Sequence, residues 1–307
     1  ALMLPDGHVS LAGIVPPKIA CRFSKKQGGR VNMFGREYAQ HVDLLMHSYG
    51  QMNKDYLRKA SEEKRTFFIE KLKKLYVSFF GIPEIGFQLR SIYFKKILSS
   101  YLASSKLRKI LDAGSGIGAY AFWLAKTFPR ASVTGGDIDR HKLKSCRVLT
   151  REFHLNNVSF SYFDITKANG KARYNLIVTI DVLEHVEDYT KVLQNFHRLL
   201  RKGGLLYVHV PQPDQMRIFR SLRGWRHEDH VLEGIDKKTL EDKLKKLGFR
   251  ILVSRQTFGF FGKLAWELNH MMLAKSFIHA GISFPILYFL ATVDQLWKNE
   301  NGLGVAI

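Results

Sequence analysis

The stretch "KILDAGSGIGAY", from Lys109 to Tyr120, places three glycines at alternate positions directly after a short apolar run. The glycines are Gly114, Gly116 and Gly118. Glycine has no Cβ, so it allows a sharp backbone turn and lets a ligand lie directly against the main chain. The apolar run is typical of a buried strand, and "AYAFWLAKTF" after it is typical of a helix. The unit predicts either a simple flexible turn or a loop that cradles a nucleotide-like ligand.

Strands and helices continue to alternate beyond this unit. The further strands are predicted in "ASVTGGDID", "VSFSYFDI", "YNLIVTIDV", "GLLYVHVP" and "RILVSRQTF". The further helices run from Arg140 to about Phe153 and through "YTKVLQNFHRLLRKGG" and "KKTLEDKLKKLGF". Such alternation predicts an α/β fold in which helices cover both faces of a parallel sheet.

The residues before this region have a different pattern. Residues 1–32 are rich in Pro, Gly and Lys and are interpreted as a loose leader. Residues 33–105 are predicted to be a helical region, since "KRTFFIEKLKKLYVSFF" and "QLRSIYFKKILSSYL" have apolar residues at helical spacing. We expect these two amphipathic helices to form a cap on the core.

Composition restricts the function classes. The chain has 307 residues, 46% of them hydrophobic, which is enough for a full core. Its two cysteines lie in unrelated contexts, which argues against a disulfide framework or a cysteine-rich zinc site and fits a reducing, cytoplasmic compartment. The formal net charge of +21 predicts a polyanionic partner: nucleic acid, anionic lipid headgroups or a phosphorylated substrate.

Two aspartates near the glycines distinguish the possible nucleotides. Gly114, Gly116 and Ala119 satisfy the G-x-G-x-x-A pattern of dinucleotide-binding proteins, which alone is a weak signal. Asp112 precedes the loop, where a negative charge gives a pyrophosphate ligand no advantage but favours a sulfonium ligand with an α-amino group. Asp137 ends the second strand and is placed to accept hydrogen bonds from ribose hydroxyls of either ligand.

Five segments, taken in order, resemble the class I S-adenosylmethionine-dependent methyltransferases. They are "LDAGSGIG", "GGDID", "FDI", "TIDVLEHV" and "LLRKGGLLYVHVP". The resemblance covers a core at 106–258, and its pattern is similar to enzymes that methylate small molecules, including quinone-type O-methyltransferases. It implies a Rossmann-like sheet of seven strands, with "GLGVAI" at 302–307 as the last strand.

The resemblance implies roles for particular residues around the cofactor. The three glycines would lie against its methionine part, Asp112 beside its amino group, and Asp137 on its ribose. The adenine would be covered by Ile138 and met at its edge by Asp164 and Ile165, although ordinary packing would also explain the two isoleucines. The full set of expected cofactor-binding residues also includes Asp181, after the fourth strand.

The segment "DVLEH" excludes some acceptors and suggests others. It lacks the Asn/Asp-Pro-Pro-aromatic tetrad of many base and glutamine N-methyltransferases, and no cysteine lies near it for C5 methylation of pyrimidines. Ribose or N7 methylation of RNA stays open. Asp181, Glu184 and His185 resemble an acid-acid-histidine set that holds a divalent cation such as Mg²⁺ in quinone O-methyltransferases. Alternatively, Glu184 and His185 cap the next helix.

A histidine general base is a second catalytic hypothesis. His185 and His230 are the candidates that we single out, and His227 is also plausible by position. Acceptor-side residues are expected after the fifth strand, where four arginines recur at every third position. On a helix they would share one face, which is either solvated or contacts an anionic acceptor. The acceptor-side set is Arg217, Arg220, Arg223, Trp225 and His227, with Arg226 as the fourth arginine.

Residues 259–301 interrupt the expected return to the last strand. They include "SFIHAGISFPILYFLATV", which contains no Lys, Arg, Asp or Glu. The pattern favours a hydrophobic helical hairpin that rests on the domain or enters a membrane surface. Beside the net positive charge, this hairpin predicts reversible, peripheral attachment to an anionic membrane.

The sequence therefore supports three hypotheses. The first is methyl transfer from S-adenosylmethionine to a hydrophobic or lipid-linked small molecule, expected at oxygen and at a membrane surface. The second is an RNA methyltransferase whose basic face follows phosphates. The third is a non-catalytic module that keeps the fold for binding.

Overall fold

A computed structural model describes residues 76, 84–102, 107–213, 215–222, 230–297, 299 and 301–307. The strands are β1 (Lys109–Ala113), β2 (Ser132–Asp137), β3 (Val158–Tyr162), β4 (Tyr174–Ile180), β5 (Leu200–Pro211), β6 (Arg255–Thr257) and β7 (Gly304–Ala306). The α-helices of the described residues are α1 (Ile85–Leu102), α2 (Ala119–Thr127), α3 (Arg140–Glu152), α4 (Tyr189–Leu199), α5 (Lys237–Lys246), α6 (Phe260–Lys275) and α7 (Phe277–Asp294).

The seven strands form one sheet in the order β3-β2-β1-β4-β5-β7-β6. Strands β1 to β5 are parallel, as the alternation predicts, whereas β7 runs antiparallel to both of its neighbours, β5 and β6. The expectation of a wholly parallel sheet is therefore wrong at this edge. The Rossmann-like α/β fold is confirmed, and β1 and β4 lie side by side at its centre.

Alternation along the strands divides the core into two layers. On one face, Ile110 of β1 and Val133 of β2 pack against α1, α2 and α3. On the other face, Leu111 of β1 and Ile177 of β4 pack against α4 and α5. Successive side chains of a strand point to opposite faces, so the central strands are apolar almost throughout.

A third apolar cluster joins α1 to the two helices that precede β7. Leu89 and Tyr93 of α1 pack with Phe284 and Leu287 of α7. Helix α1 thus has the sheet on one side and the α6–α7 hairpin on the other. The prediction of an amphipathic helix is wrong here, because nearly every side of α1 is covered.

Some helices and strands begin or end at other residues than predicted, because strand pairing limits their length. The predicted sixth strand in "RILVSRQTF" forms only Arg255–Thr257, because its partner β7 offers just three residues. The fourth helix ends at Leu199, and β5 begins at once with Leu200 opposite Tyr174, before a register shift. The predicted leader and the first helix of the cap lie outside the described residues, apart from Tyr76.

Candidate active site

The glycine loop connects β1 to α2 and requires glycine in two different ways. Gly114, Gly116 and Gly118 all have positive φ, at 82°, 51° and 79°. A Cβ on Gly114 would lie 2.3 Å from Cγ2 of Val182, whereas a Cβ on Gly116 would meet no described residue within 4 Å. The backbone of Gly116 therefore faces open space, as expected of a loop that a ligand approaches.

Asp137 ends β2 beside this loop. One carboxylate oxygen of Asp137 accepts a hydrogen bond from the backbone amide of Gly116 at 2.7 Å, and the other accepts from the amide of Asp139 at 2.8 Å. The next residue, Ile138, is 65% exposed although it is large and apolar. Packing against the described residues leaves this apolar side chain largely uncovered. Its predicted place over an adenine ring remains a proposal, which the exposure supports.

Asp112 is buried under the loop at the end of β1. Its Oδ2 atom has no hydrogen-bond partner within the described part of the chain. Burial raises the pKa of Asp112 to about 7, with the charge of Asp137 adding to the rise and the backbone amide of Ala121 opposing it. Buried carboxylate oxygens normally have partners, so the unpaired oxygen of Asp112 is suited to accept a hydrogen bond from a bound ligand.

The residues after β3 differ in what they can offer to a ligand. The carboxylate of Asp164 accepts hydrogen bonds from the amide and hydroxyl of Thr166, at 3.0 and 2.6 Å, and pairs with Lys167 at 3.4 Å. The Thr166 hydroxyl lowers the pKa of Asp164. Ile165 is buried in the core between the sheet and α4, which agrees with the packing explanation. A contact of Asp164 with adenine stays a prediction.

Asp181 follows β4 and lies in a network that the sequence analysis missed. Its backbone has φ of 52°, unusual for a residue with a side chain. One oxygen pairs with Nε of Arg90 at 3.1 Å, and the other contacts Nδ1 of His209 at 2.6 Å. Nε2 of His209 is 3.0 Å from the hydroxyl of Thr257. A histidine inside the apolar strand "LLYVHVP" was a usable signal for this network, whereas Arg90 on α1 offered none.

Tyr120 of α2 belongs to the same region. Burial raises the pKa of its hydroxyl strongly. The positive charge of Arg90 lowers this pKa, whereas the negative charges of Asp181 and Asp112 raise it. The carboxyl ends of β1 and β4, the glycine loop and α1 thus surround one polar region. Ligands of open α/β sheets bind at this edge.

Glu184, His185 and His230 form a second cluster after β4. Each offers a ligand atom, and these atoms all lie within 4.8 Å of one another. The two imidazole rings meet edge to face with centroids 4.7 Å apart. The carbonyl oxygen of Glu184 accepts hydrogen bonds from the amides of Val231 and Leu232, at 3.1 and 2.9 Å, which brings His230 to this turn.

The carboxylate of Glu184 is fully buried, and neither of its oxygens has a hydrogen-bond partner among the described residues. Burial raises its pKa well above the usual value, and the charge of Asp181 adds to the rise. The alternative that Glu184 caps the next helix is wrong, because the side chain of Asp188 caps α4 by accepting a hydrogen bond from the amide of Lys191. The structure groups Glu184 and His185 with His230, while Asp181 pairs with Arg90 and His209.

The predicted acceptor-side helix does not form in residues 215–222. This segment holds only a 3₁₀ turn at Arg220–Leu222. The backbone amides of Ile218 and Phe219 donate hydrogen bonds to the carboxylate of Glu267 on α6. They are therefore not available for the hydrogen bonds of an α-helix. Arg217 lies over the ring of Trp266 at 4.7 Å, and Arg220 is exposed. The remaining predicted acceptor-side residues lie outside the described part of the chain: Arg223, Trp225, Arg226 and His227.

Comparison with known proteins agrees with this geometry. Residues 88–254 match a family model described as a methyltransferase domain, which is more than half of the chain. The chain belongs to the class I S-adenosylmethionine-dependent methyltransferases. The match begins within α1 and ends just before β6, so it includes the glycine loop, Asp137, Asp181 and the Glu184 cluster.

Relatives of the methyltransferase act at different atoms. The chain is 27% identical over 162 residues to the O-methyltransferase resE of Aspergillus sclerotiorum, covering 49% of this chain and 58% of that protein. It is 27% identical over 118 residues to (S)-coclaurine N-methyltransferase of Papaver somniferum, covering 37% of this chain and 34% of that protein. It is 30% identical over 97 residues to the ubiquinone/menaquinone biosynthesis C-methyltransferase UbiE of Desulfotalea psychrophila, covering 31% and 38%.

The fold also agrees with a solved structure. Phosphoethanolamine N-methyltransferase 2 of Haemonchus contortus in complex with S-adenosyl-L-methionine has a TM-score of 0.52 at 18% identity. The alignment covers 74% of this chain and 55% of that chain. The methyltransferase thus spans between about a third and three fifths of the length of these relatives.

Proposed function

We propose that the protein methylates an oxygen atom of a hydrophobic, lipid-linked small molecule at a membrane surface. S-adenosylmethionine supplies an electrophilic methyl group on a sulfonium when it is bound. The chain's own residues fit this cofactor. The oxygen of buried Asp112 that lacks a partner among the described residues suits the cofactor's amino group. Asp137 suits its ribose hydroxyls, and the open backbone at Gly116 suits its methionine part. Because the transfer is a direct displacement, alignment of the acceptor and exclusion of water are the main tasks of the protein.

The acceptor hydroxyl must lose a proton during transfer, and the Glu184 cluster is the best candidate to assist. A carboxylate with two imidazoles is a ligand set that suits transition metals such as zinc or iron(II) better than magnesium, which prefers oxygen ligands. The residues fit a metal, since buried Glu184 lacks partners among the described residues. Glu184, His185 and His230 would hold it, and a bound cation would lower the pKa of an acceptor hydroxyl. Without a metal, His185 or His230 would accept the proton directly.

One face of α7 carries the proposal of a lipid-linked acceptor. Ile278, Ile282, Ile286 and Phe289 are spaced by four, four and three residues, and each is between 59% and 76% exposed. We call this row the α7 stripe. Residues with the same spacing share one side of a helix, and the opposite side of α7 packs on α1. A row of large apolar side chains exposed together favours contact with another apolar phase.

Positive charge lies beside the α7 stripe. Lys275 is exposed at the turn between α6 and α7. The hydroxyl of Tyr76 donates to the carbonyl oxygen of Gly281 in α7 at 2.6 Å. An apolar row beside Lys275, in a chain with a formal net charge of +21, favours an anionic bilayer surface as the partner.

The stripe does not imply that α7 crosses the bilayer. Over the described residues, every helix is too short or too polar for a membrane span. Contact along one face, with α7 lying parallel to the bilayer surface, is consistent with this finding.

Transfer of labelled methyl groups tests the proposal. The protein is incubated with S-adenosylmethionine carrying a tritiated methyl group, together with vesicles of a total bacterial lipid extract or with total RNA. We expect the label to enter the organic phase and to require the protein. Label in RNA alone, incorporated at a rate that falls steeply with salt, would instead support the second hypothesis, an RNA methyltransferase whose basic face follows phosphates. Cofactor binding without transfer to either pool would support a non-catalytic module.

A further inference from the structure

The loop Gln215–Leu222 after β5 is attached to α6 by one buried carboxylate. Glu267 is fully buried, and its two oxygens accept hydrogen bonds from the backbone amides of Ile218 and Phe219, both at 2.9 Å. These bonds join segments that are 48 to 49 residues apart in sequence. Hydrogen bonds from amides to an ionised carboxylate are about twice as strong as neutral ones.

Neighbouring contacts hold the same loop along its length. The guanidinium of Arg217 stacks on Trp266, which precedes Glu267 on α6. The side-chain amide of Gln215 donates to the carbonyl oxygen of Leu303, just before β7. The side chains that alternate with these point outward and are exposed: Met216 and Ile218. The loop is therefore held against the α6–α7 hairpin, while its apolar side chains Met216 and Ile218 are exposed to solvent.

We propose that Glu267 is a positioning residue that holds this loop in place for the acceptor and connects it to the membrane-facing hairpin. This inference rests on the proposed function, since it needs an acceptor that reaches the site from the side of the hairpin. The loop follows β5, whose carboxyl end lies beside β4 and Asp181 at the site edge of the sheet. Because both backbone amides bind one carboxylate, a change at Glu267 alters the loop without touching the residues expected to bind the cofactor.

The same hairpin contains a second buried carboxylate that serves as a matched control. Asp294 at the end of α7 accepts hydrogen bonds from the amides of Gly259 and Gly262 and from the hydroxyl of Tyr93. Like Glu267, it is buried and binds two backbone amides, but its hydrogen bonds stabilise the hairpin, and none of them reaches the described residues of the loop. A merely structural role for Glu267 predicts equal effects of Glu267→Gln and Asp294→Asn.

Hydrogen exchange measures the attachment directly. The amides of Ile218 and Phe219 are followed in peptic peptides of the full chain, with wild type, Glu267→Gln, Glu267→Ala and Asp294→Asn compared. We expect exchange of these amides to accelerate about tenfold or more in Glu267→Ala, less in Glu267→Gln, and little in Asp294→Asn. Unchanged exchange in both Glu267 variants would overturn the proposal.

Transfer kinetics then separate positioning from stability. Affinity for S-adenosylhomocysteine is measured by calorimetry, and the apparent KM is measured for label transfer into lipid-extract vesicles. We expect Glu267→Gln to keep the affinity within about twofold and to raise the KM about fivefold or more, with partial rescue relative to Glu267→Ala. An equal rise in Asp294→Asn would overturn the proposal. If the wild type labels no lipid, the proposed function fails, and the exchange comparison alone decides whether Glu267 holds the loop.

Discussion

The α7 stripe allows a quantitative prediction of vesicle binding. Full burial of an isoleucine side chain contributes about 1.5 to 3 kcal/mol. Ile282 and Ile286 are 76% and 69% exposed, so transfer of each into a lipid surface recovers about 1 to 2 kcal/mol. Replacement of both by serine should weaken binding by about 2 to 4 kcal/mol, which corresponds to a factor of about 30 to several hundred.

Flotation with vesicles measures this effect. Wild type and the Ile282→Ser/Ile286→Ser variant are mixed with phosphatidylcholine vesicles that contain or lack phosphatidylglycerol. We expect the wild type to float with the anionic vesicles and the variant to stay largely in solution. High salt should weaken binding of the wild type only in part, because ionic screening leaves the apolar contribution unchanged.

The control removes exposed apolar side chains from another part of the molecule. Val148 on α3 and Leu252 before β6 are both exposed and lie outside the hairpin. Val148→Ser/Leu252→Ser should float like the wild type, and all variants should bind S-adenosylhomocysteine equally. Equal flotation of the wild type and the stripe variant would refute the assignment of this face to lipid.

Three further predictions concern the cofactor and the Glu184 cluster. Gly116→Val or Asp137→Ala should abolish the rise in melting temperature that S-adenosylhomocysteine causes in the wild type, whereas a rise caused by NAD alone would contradict the cofactor site. Burial raises the pKa of Asp112 to about 7 from 3.8, so its folded form retains a proton that the unfolded chain has lost. The free energy of unfolding of the ligand-free protein should therefore fall by up to about 4 kcal/mol as pH rises from about 4 through 7, and Asp112→Asn should remove this loss. A pH profile of melting temperature that is the same in wild type and variant would contradict the assignment of the loss to Asp112. A chelator should reduce turnover, and zinc or iron(II) should restore it better than magnesium, with the effect lost in Glu184→Gln and His230→Ala; turnover that ignores chelation would leave a histidine base as the mechanism.

The fold was predictable because it depends on local patterns. The two central strands, β1 and β4, are short and largely apolar runs, and the glycine loop of Gly114 to Gly118 marks the turn where the ligand edge begins. The antiparallel β7 and the short β6 were not predictable from periodicity, because three-residue strands depend on pairing rather than on their own pattern. Periodicity also failed for α1. An amphipathic pattern predicts that one face of a helix is covered, whereas α1 is covered on two faces.

The site was predictable only where its residues follow strands. Asp112, Asp137 and Asp181 end neighbouring strands, so sequence order alone places them at one edge. Arg90 and Glu267 come from helices outside that order, and their contacts depend on how α1 and the hairpin pack. Arg217 and Arg220 were expected on a helix from their spacing, but two hydrogen bonds to Glu267 give the loop another conformation. Leu290 of α7 is partly buried in the hairpin cluster, so it does not belong to the α7 stripe.

The central claim is that the acceptor lies in a lipid phase which the α7 stripe contacts. Label transfer from S-adenosylmethionine into the lipid extract is measured for the wild type and the Ile282→Ser/Ile286→Ser variant, first in vesicles and then with the same lipids dissolved in detergent micelles. The account predicts that the variant is at least about tenfold slower on vesicles and as fast as the wild type in detergent, because only the first case requires the protein to bind a bilayer. Equal rates on vesicles, or no label in lipid under either condition, would contradict it.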